Sequence, residues 1–307
     1  MRRLLTALLP ALAAALGGCF TGIESTPRIS GDDVRRADVH VTAEQQLMHA
    51  VEAEPPARWR PGKRWLVGDD RISLVFAAPL PEGTDSLAGR VLRLDSMGRY
   101  TGISGDTLLA PVFVTDDGAR LTYRTAIKAE ALDSLATLEL PFAIELSAVE
   151  AADSLLRGRT VYITTPQRLE HDGRRTDGLR HVPVRVLGVE PGTVRYPLRV
   201  VFADVDSATR SVMLTYGDGP AATRNFDRLF SFTDPRHSYP RITPATWEHI
   251  MHSQVTTGMT RDECRLALGA PQRIDRNGGH AGQYERWSYD QGIYLIFEDG
   301  FLIKYRQ

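Results

Sequence analysis

The sequence is short of the features that would name a reaction. It has no Gly-x-Ser-x-Gly nucleophile turn. The glycine-rich stretches Gly102-Ile103-Ser104-Gly105 and Gly217-Asp218-Gly219 lack the Lys-Ser/Thr that completes a phosphate loop. After the N-terminus no stretch approaches the roughly 18 uninterrupted apolar residues of a membrane-spanning helix. Charge of one sign is also missing. Lys and Arg number 37 against 38 Asp and Glu, which argues against nucleic acid as a partner, since that would favour a basic face. Cysteine is nearly absent, with Cys19 and Cys264 alone. Apolar residues at 42% and charged residues at 24% are ordinary for a globular protein. A chain of 307 residues holds two domains or one large one.

The N-terminus carries a clear pattern. Met1-Arg2-Arg3 is basic, Leu4 to Leu16 is rich in Ala and Leu, and Leu16-Gly17-Gly18 puts small residues before Cys19. This is a secretory signal pattern, and it resembles a bacterial lipobox cleaved before Cys19. The resemblance implies a mature chain that begins at Cys19 with a diacylglycerol thioether and an N-acyl chain such as palmitate. Several acyl chains give lasting membrane attachment. An ordinary signal peptide with a coincidental cysteine, or an anchor helix, is the alternative, although the apolar run is short for a bilayer. Loss of residues 1–18 leaves 35 basic against 38 acidic residues. Phe20-Thr21-Gly22 contains no Asp, which by the same resemblance implies the outer membrane, facing the periplasm. Cys264 is then left unpaired. It lies four residues from Leu268, on one helical face with Ala267, and reads as a buried small hydrophobe.

Residues 19–40 read as a flexible tether. Residues 41–232 read as a β-rich domain. A helix opens it, with Thr42 and Gln45 as a capping-box pair, and Pro55-Pro56 ends it. From Trp59 to Phe232 the apolar period is two. Strands are expected at 64–67 and 72–76 around the turn Gly68-Asp69-Asp70, and at 89–94, 108–114, 120–125, 142–146, 159–164, 181–187, 196–202 and 211–216. Many short strands at near-regular spacing point to a sandwich or small barrels. Asp85-Ser86-Leu87-Ala88-Gly89-Arg90 resembles Asp153-Ser154-Leu155-Leu156-Arg157-Gly158-Arg159, and Pro111-Val112 resembles Pro183-Val184. Two tandem β units offset by about 70 residues would produce this, and so would chance.

Residues 233–307 form a third region. Thr243-Pro244 starts a helix with the apolar stripe Trp247, Ile250 and Met251. Thr260 and Glu263 make a capping box, Met259 and Cys264 a hydrophobic staple, and Gly269 with Pro271 ends the second helix. Strands follow at 283–289, 293–297 and 301–305, parted by the turns Asp290-Gln291-Gly292 and Glu298-Asp299-Gly300. Gly258-Met259-Thr260, Leu268-Gly269-Ala270-Pro271, Glu285-Arg286-Trp287-Ser288-Tyr289 and Tyr294-Leu295-Ile296-Phe297-Glu298-Asp299-Gly300 resemble the BamE (SmpA/OmlA) family of small outer-membrane lipoproteins. The resemblance covers roughly residues 243–305 and implies two helices on a short antiparallel sheet. Cys264 departs from it, standing where the family usually has an aliphatic residue. β-Lactamase inhibitor proteins use the same layout.

The expected fold is therefore mainly β, with a two-helix α+β module at the C-terminal end. The expected function is non-enzymatic protein binding or scaffolding in outer-membrane protein assembly or envelope maintenance. The membrane is reached through Cys19, the partner is an envelope protein, and no cofactor or metal is expected. Inhibitor or ligand-binding lipoprotein is one alternative. Envelope glycan or peptidoglycan hydrolase is the other. Tyr284, Trp287, Tyr289 and Tyr294 are the candidate interaction surface, because aromatic residues are favoured at protein interfaces, with core packing the plainer reading for most of the aromatic residues in these strands. Strand alternation sends Trp287 and Tyr289 to one face and Tyr284 to the other. His249 and His252 stand three apart beside Glu248. A metal would need further ligands, and a solvated helix face is the plainer reading. The acid pairs Asp69-Asp70, Asp116-Asp117 and Glu298-Asp299 fall in turns, where carboxylates bond the local backbone.

Overall fold

A computed structural model describes residues 44, 46, 51, 53–80, 86–216, 224–279 and 282–307. Among them, strands form three antiparallel sheets. The first sheet holds β1 (Arg64–Val67), β2 (Val91–Thr101), β3 (Thr107–Val114), β4 (Arg120–Thr122) and β5 (Ala143–Glu145), in the order β4-β3-β2-β1-β5. The second holds β6 (Thr160–Ile163), β7 (Gln167–Leu169), β8 (Arg175–Asp177), β9 (Val182–Pro191), β10 (Leu198–Ala203), β11 (Thr209–Leu214) and β12 (Phe230–Ser231), in the order β12-β6-β9-β10-β11-β7-β8. The third runs β13 (Arg273–Gly279), β14 (Gly282–Ser288), β15 (Tyr294–Glu298) and β16 (Phe301–Arg306) as a simple meander. The helices are α1 (Leu146–Leu156), α2 (Phe226–Leu229), α3 (Pro235–Ser238), α4 (Pro244–Met251) and α5 (Arg261–Leu268). The chain is mainly β.

The first two sheets repeat one unit. Matching β1 to β6, β2 to β9, β3 to β10, β4 to β11 and β5 to β12 gives the same strand order. The same backbone bonds recur at matched places. Gly62 N donates to Leu94 O at 2.7 Å and Leu94 N to Lys63 O at 2.8 Å; Gly158 N and Val186 N do the same with Val186 O and Arg159 O, both at 2.9 Å. Gly62 and Gly158 both hold positive φ, 92° and 78°, which a glycine takes without steric cost. An extra residue bulges at Asp95 in β2 and at Leu187 in β9, directly after Leu94 and Val186, which face Phe113 and Phe202. The next hairpins also match: Thr115 N reaches Ala119 O and Asp204 N reaches Ala208 O. Finally, Gly68 N donates to Phe142 O, and Thr164 N to Leu229 O.

The repeat offset is about 90 residues, not about 70. Pro111 lies in β3 and Pro183 in β9, which are not counterparts. The likeness of Leu87-Ala88-Gly89-Arg90 to Leu156-Arg157-Gly158-Arg159 has a local cause. Each is a turn closed by an Arg N–H to Leu O bond at 3.0 Å, with Gly at positive φ before a strand. Asp85 lies outside the described residues.

Each sheet has its own apolar cluster, so the first two do not close on one another over a single shared core as a sandwich would. The first cluster centres on Trp65, Leu92, Leu94 and Phe113, the second on β6, β9, β10, β11 and α1. Residues 72–76, expected as a strand, are instead mostly a 3-10 helix, Asp70–Val75. Asp69 caps it by accepting from Arg71 N at 2.9 Å, and Asp70 accepts from Leu87 N and Ala88 N. These local bonds outcompete a hairpin. Helices α1, α2 and α3 and strands β7, β8, β12 and β13 have no counterpart among the expected elements. α1 buries Ala148, Val149, Ala152 and Leu156 as one stripe. The hairpin β7–β8 is inserted between β6 and β9. Its buried Arg168 donates to Asp204 at 3.1 Å and to the carbonyls of Thr165 and Leu179. Asp204 occupies the place of Thr115 in the first sheet, so the acid stands where the inserted hairpin delivers a cation.

In the third region the caps form where expected. Thr243 accepts from Thr246 N, and Thr260 and Glu263 bond each other's backbone N–H. α4 and α5 pack through Trp247, Ile250, Cys264 and Ala267 on Trp287, Leu295, Phe297 and Leu302. All described residues belong to one compact unit, Val41–Gln307. Glu44 and Gln46 are helical. Thr42, Gln45 and the whole of residues 1–40, with Cys19, lie outside the described residues.

Candidate functional site

The candidate face is the side of the third sheet turned away from α4 and α5. Residues directly opposite on antiparallel strands share a face. Glu285, Trp287, Leu295, Phe297 and Leu302 are buried under the helices. The intervening residues face outward in three transverse rows: Tyr284–Glu298–Phe301, Asp275–Arg286–Ile296–Lys304 and Arg273–Ser288–Tyr294–Arg306. Phe301 is 53% exposed and Tyr284 38%. Ile303, at the β15–β16 bulge, adds another exposed apolar side chain.

The charges on this face are unevenly satisfied. Arg273 is paired with Asp275 at 2.8 Å, and Tyr284 hydroxyl donates to Glu298. That bond raises the Tyr284 phenol above its ordinary range. Arg286 lies 5.2 Å over the Tyr294 ring. Arg286, Lys304 and Arg306 have no ion-pair partner among the described residues. The outcome is an aromatic and apolar patch with surplus positive charge.

Of the four aromatic residues expected on an interaction surface, this face holds Tyr284 and Tyr294. Trp287 is fully buried and is corrected to a core residue. Its ring meets Phe297 at 4.6 Å and lies under Arg265 at 4.8 Å, and its Nε1 donates to Glu285 at 2.9 Å. Tyr289 is on the same inner side, half-buried, and donates to Gly269 O at 3.3 Å. The alternation that separates Trp287 and Tyr289 from Tyr284 holds; what decides the matter is that α4 and α5 cover the first pair. Burial pushes the Glu285 carboxyl up, but the Trp287 bond and the charges of Arg261 and Arg276 outweigh it and leave it lowered. Ile296, Lys304, Arg306 and Arg286 join the face through register alone, which no residue-level signal announces.

The remaining candidates lie apart. His252 Nδ1 is 2.8 Å from Glu248 O at an exposed helix end. No group of three or more metal-ligating side chains gathers among the described residues. Asp69 is held down at about 2 by its bonds from Arg71, and Asp117 at about 2 by the Thr115 hydroxyl and Arg90. The Arg71 and Thr115 bonds are local turn chemistry, whereas Arg90 reaches Asp117 from 27 positions away. Cys264 is fully buried, and burial, with Glu263 nearby, pushes its thiol up to about 12. No family model, curated protein or solved structure matches the chain.

Proposed function

We propose that this chain is a lipid-anchored outer-membrane lipoprotein facing the periplasm, with a non-enzymatic binding or scaffold role in outer-membrane protein assembly or envelope maintenance. The lipobox-like sequence ending at Cys19 supports the anchor. The BamE-like order of motifs from Gly258 to Gly300 supports the assembly role. The observation that carries the binding role is the outer face of the third sheet, where Tyr284, Tyr294, Ile296 and Phe301 lie among Arg286, Lys304 and Arg306, cations with no ion-pair partner among the described residues. Aromatic residues and arginine are enriched at protein interfaces. Surplus positive charge selects an envelope protein that presents an acidic segment with apolar side chains.

A photo-crosslinking residue at Ile296 in the full-length chain tests this in native envelopes. The expected result is one discrete adduct with an envelope protein, its crosslinked segment acidic. The double variant Lys304→Glu, Arg306→Glu should abolish the adduct without lowering the melting temperature. An adduct that survives this charge reversal, or none at all, overturns the reading. Incorporation of labelled palmitate, lost in Cys19→Ser, tests the anchor separately; labelling that persists in the Ser variant would sink it.

A further inference from the structure

The repeat exposes a difference between its two copies. In the second sheet, Phe226, Phe230 and Phe232 pack together, with ring centroids 5.2 Å apart for Phe226–Phe230 and 5.3 Å for Phe226–Phe232. Arg159 lies 5.6 Å over Phe232. The counterparts in the first sheet follow from the matched pairings Val67↔Ala143 and Ile163↔Phe230. Ala143 stands where the second copy has Phe230, Glu145 where it has Phe232, and Lys63 where it has Arg159. Two aromatic rings are thus replaced by a methyl group and a carboxylate.

The first copy has a cavity there. It measures about 490 Å3 and is lined by Trp65, Phe142, Ala143 and Glu145 of the first sheet region, with Glu139 and Tyr216 beside them. Small-molecule sites fall in the range of roughly 300–1,000 Å3. Its polar groups are specific. The Glu145 side chain is 7% exposed. Its Oε1 takes Lys63 Nζ at 2.6 Å, Ser147 Oγ at 2.7 Å and Glu54 N at 3.4 Å. Its Oε2 has no hydrogen-bond partner among the described residues. The Tyr216 hydroxyl has none either. Burial, with Glu145 and Glu139 next in effect, pushes the Tyr216 phenol up to about 12, so it keeps its proton at neutral pH. Among the described residues the charged groups lining the cavity are Glu139 and Glu145, both acids, with Lys63 paired to Glu145 from outside the lining.

We propose that this cavity is a binding site for a small organic cation, a primary ammonium carried on an apolar body. The ammonium is set against Glu139 and the free oxygen of Glu145, with the Tyr216 hydroxyl as a further acceptor. Glu145 Oε2 belongs to a side chain only 7% exposed and takes no hydrogen bond among the described residues, so a cation or donor that reaches it gains a charge-assisted hydrogen bond. The apolar body lies against Trp65 and Phe142. The second copy needs no such ligand, because its phenylalanines occupy the equivalent volume. This site is separate from the outer face of the third sheet and does not depend on its role.

Calorimetric titration of the full-length chain with tryptamine tests the site, with the neutral alcohol analogue tryptophol and the anion indole-3-acetate as comparisons. Tryptamine should bind saturably at one site, about ten-fold tighter than tryptophol, with indole-3-acetate weaker still. Ala143→Phe, which supplies the side chain of the second copy, should abolish binding. Since that ring could disturb folding, Glu139→Gln and Tyr216→Phe carry the test independently. Each should weaken tryptamine by about three- to ten-fold at an unchanged melting temperature. Tryptophol binding as tightly as tryptamine, unchanged affinity in both conservative variants, or no saturable binding of tryptamine at millimolar concentration overturns the proposal.

Discussion

At the residue scale, a buried ion pair illustrates how this fold handles charge. Arg168 and Asp204 have side chains 0% and 1% exposed, and they meet at 3.1 Å. Burial lowers the Arg168 guanidinium below its ordinary range, and Asp204 opposes that shift. Arg168 also bonds two carbonyls, so its donors are used rather than stranded. Removal of Arg168 leaves Asp204 buried with Arg210, at 3.1 Å, as its remaining cation, and strands the carbonyls of Thr165 and Leu179. Arg168→Ala should therefore destabilise the protein by about 3–5 kcal/mol, measured as a shift in the urea midpoint. Arg168→Met, which refills much of the volume but not the charge, should leave most of that loss in place. The pair could not be read in the sequence. Arg168 and Asp204 stand 36 positions apart, and Arg and Asp are so common that their partnership emerges only when β7–β8 folds back beside β11.

At the element scale, the junction between the second sheet and α5 is built from two consecutive basic residues. Arg180 donates to Thr164 O at 2.8 Å and to Ala267 O. His181 Nε2 lies 3.0 Å from Leu266 O, and its Nδ1 is buried with no partner. Protonation would put a second N–H where nothing accepts it. Burial accordingly lowers the His181 pKa from 6.5; the Leu266 carbonyl opposes this, and the Arg180 charge adds to it. The unfolded chain, with the ordinary value of about 6.5, then takes up the proton first as pH falls. Stability from this site is complete above that value and declines as pH drops below it toward the lowered folded pKa. Urea melts from pH 7.5 to 5 should show this decline, and His181→Gln should flatten it. An unaltered profile in the Gln variant would mean that another group controls the slope. Elements differed in legibility for a physical reason. α5 was plain because Thr260, Glu263 and Gly269 mark its ends locally. α1 was not, because Glu145 makes no side-chain cap and its apolar stripe follows directly from β5.

At the scale of the whole molecule, the three apolar clusters are stitched together. Ile144 of the first sheet belongs to the second cluster, with Leu66 packed against it, and so does Met251 of α4. Arg180 N also donates to Met251 O at 2.9 Å. Elements that share core residues should unfold together. Thermal melts followed by far-ultraviolet circular dichroism and by tryptophan fluorescence should coincide in one transition; Trp65 reports the first cluster and Trp247 and Trp287 the third. Separated transitions would show that the clusters fold independently.

The sequence by itself determined the local features of this protein. Turn glycines, helix caps and the two-residue period of the strands act over a few residues, so their physics is written in adjacent letters. It also carries the Cys19 pattern, on which the proposed anchor rests. Tertiary structure alone decided which aromatic residues are hidden. Trp287 and Tyr284 have similar strand contexts, and only the position of α4 and α5 separates core from surface. The repeat was likewise hidden, because its identity lies in backbone bonds, a shared bulge and shared register, which many side chains can satisfy. Ala143 and Phe230 look unrelated as letters, yet they hold the same place in two sheets. The cavity beside Ala143 exists because residues scattered from Trp65 to Tyr216 converge there, and no local pattern encodes that convergence.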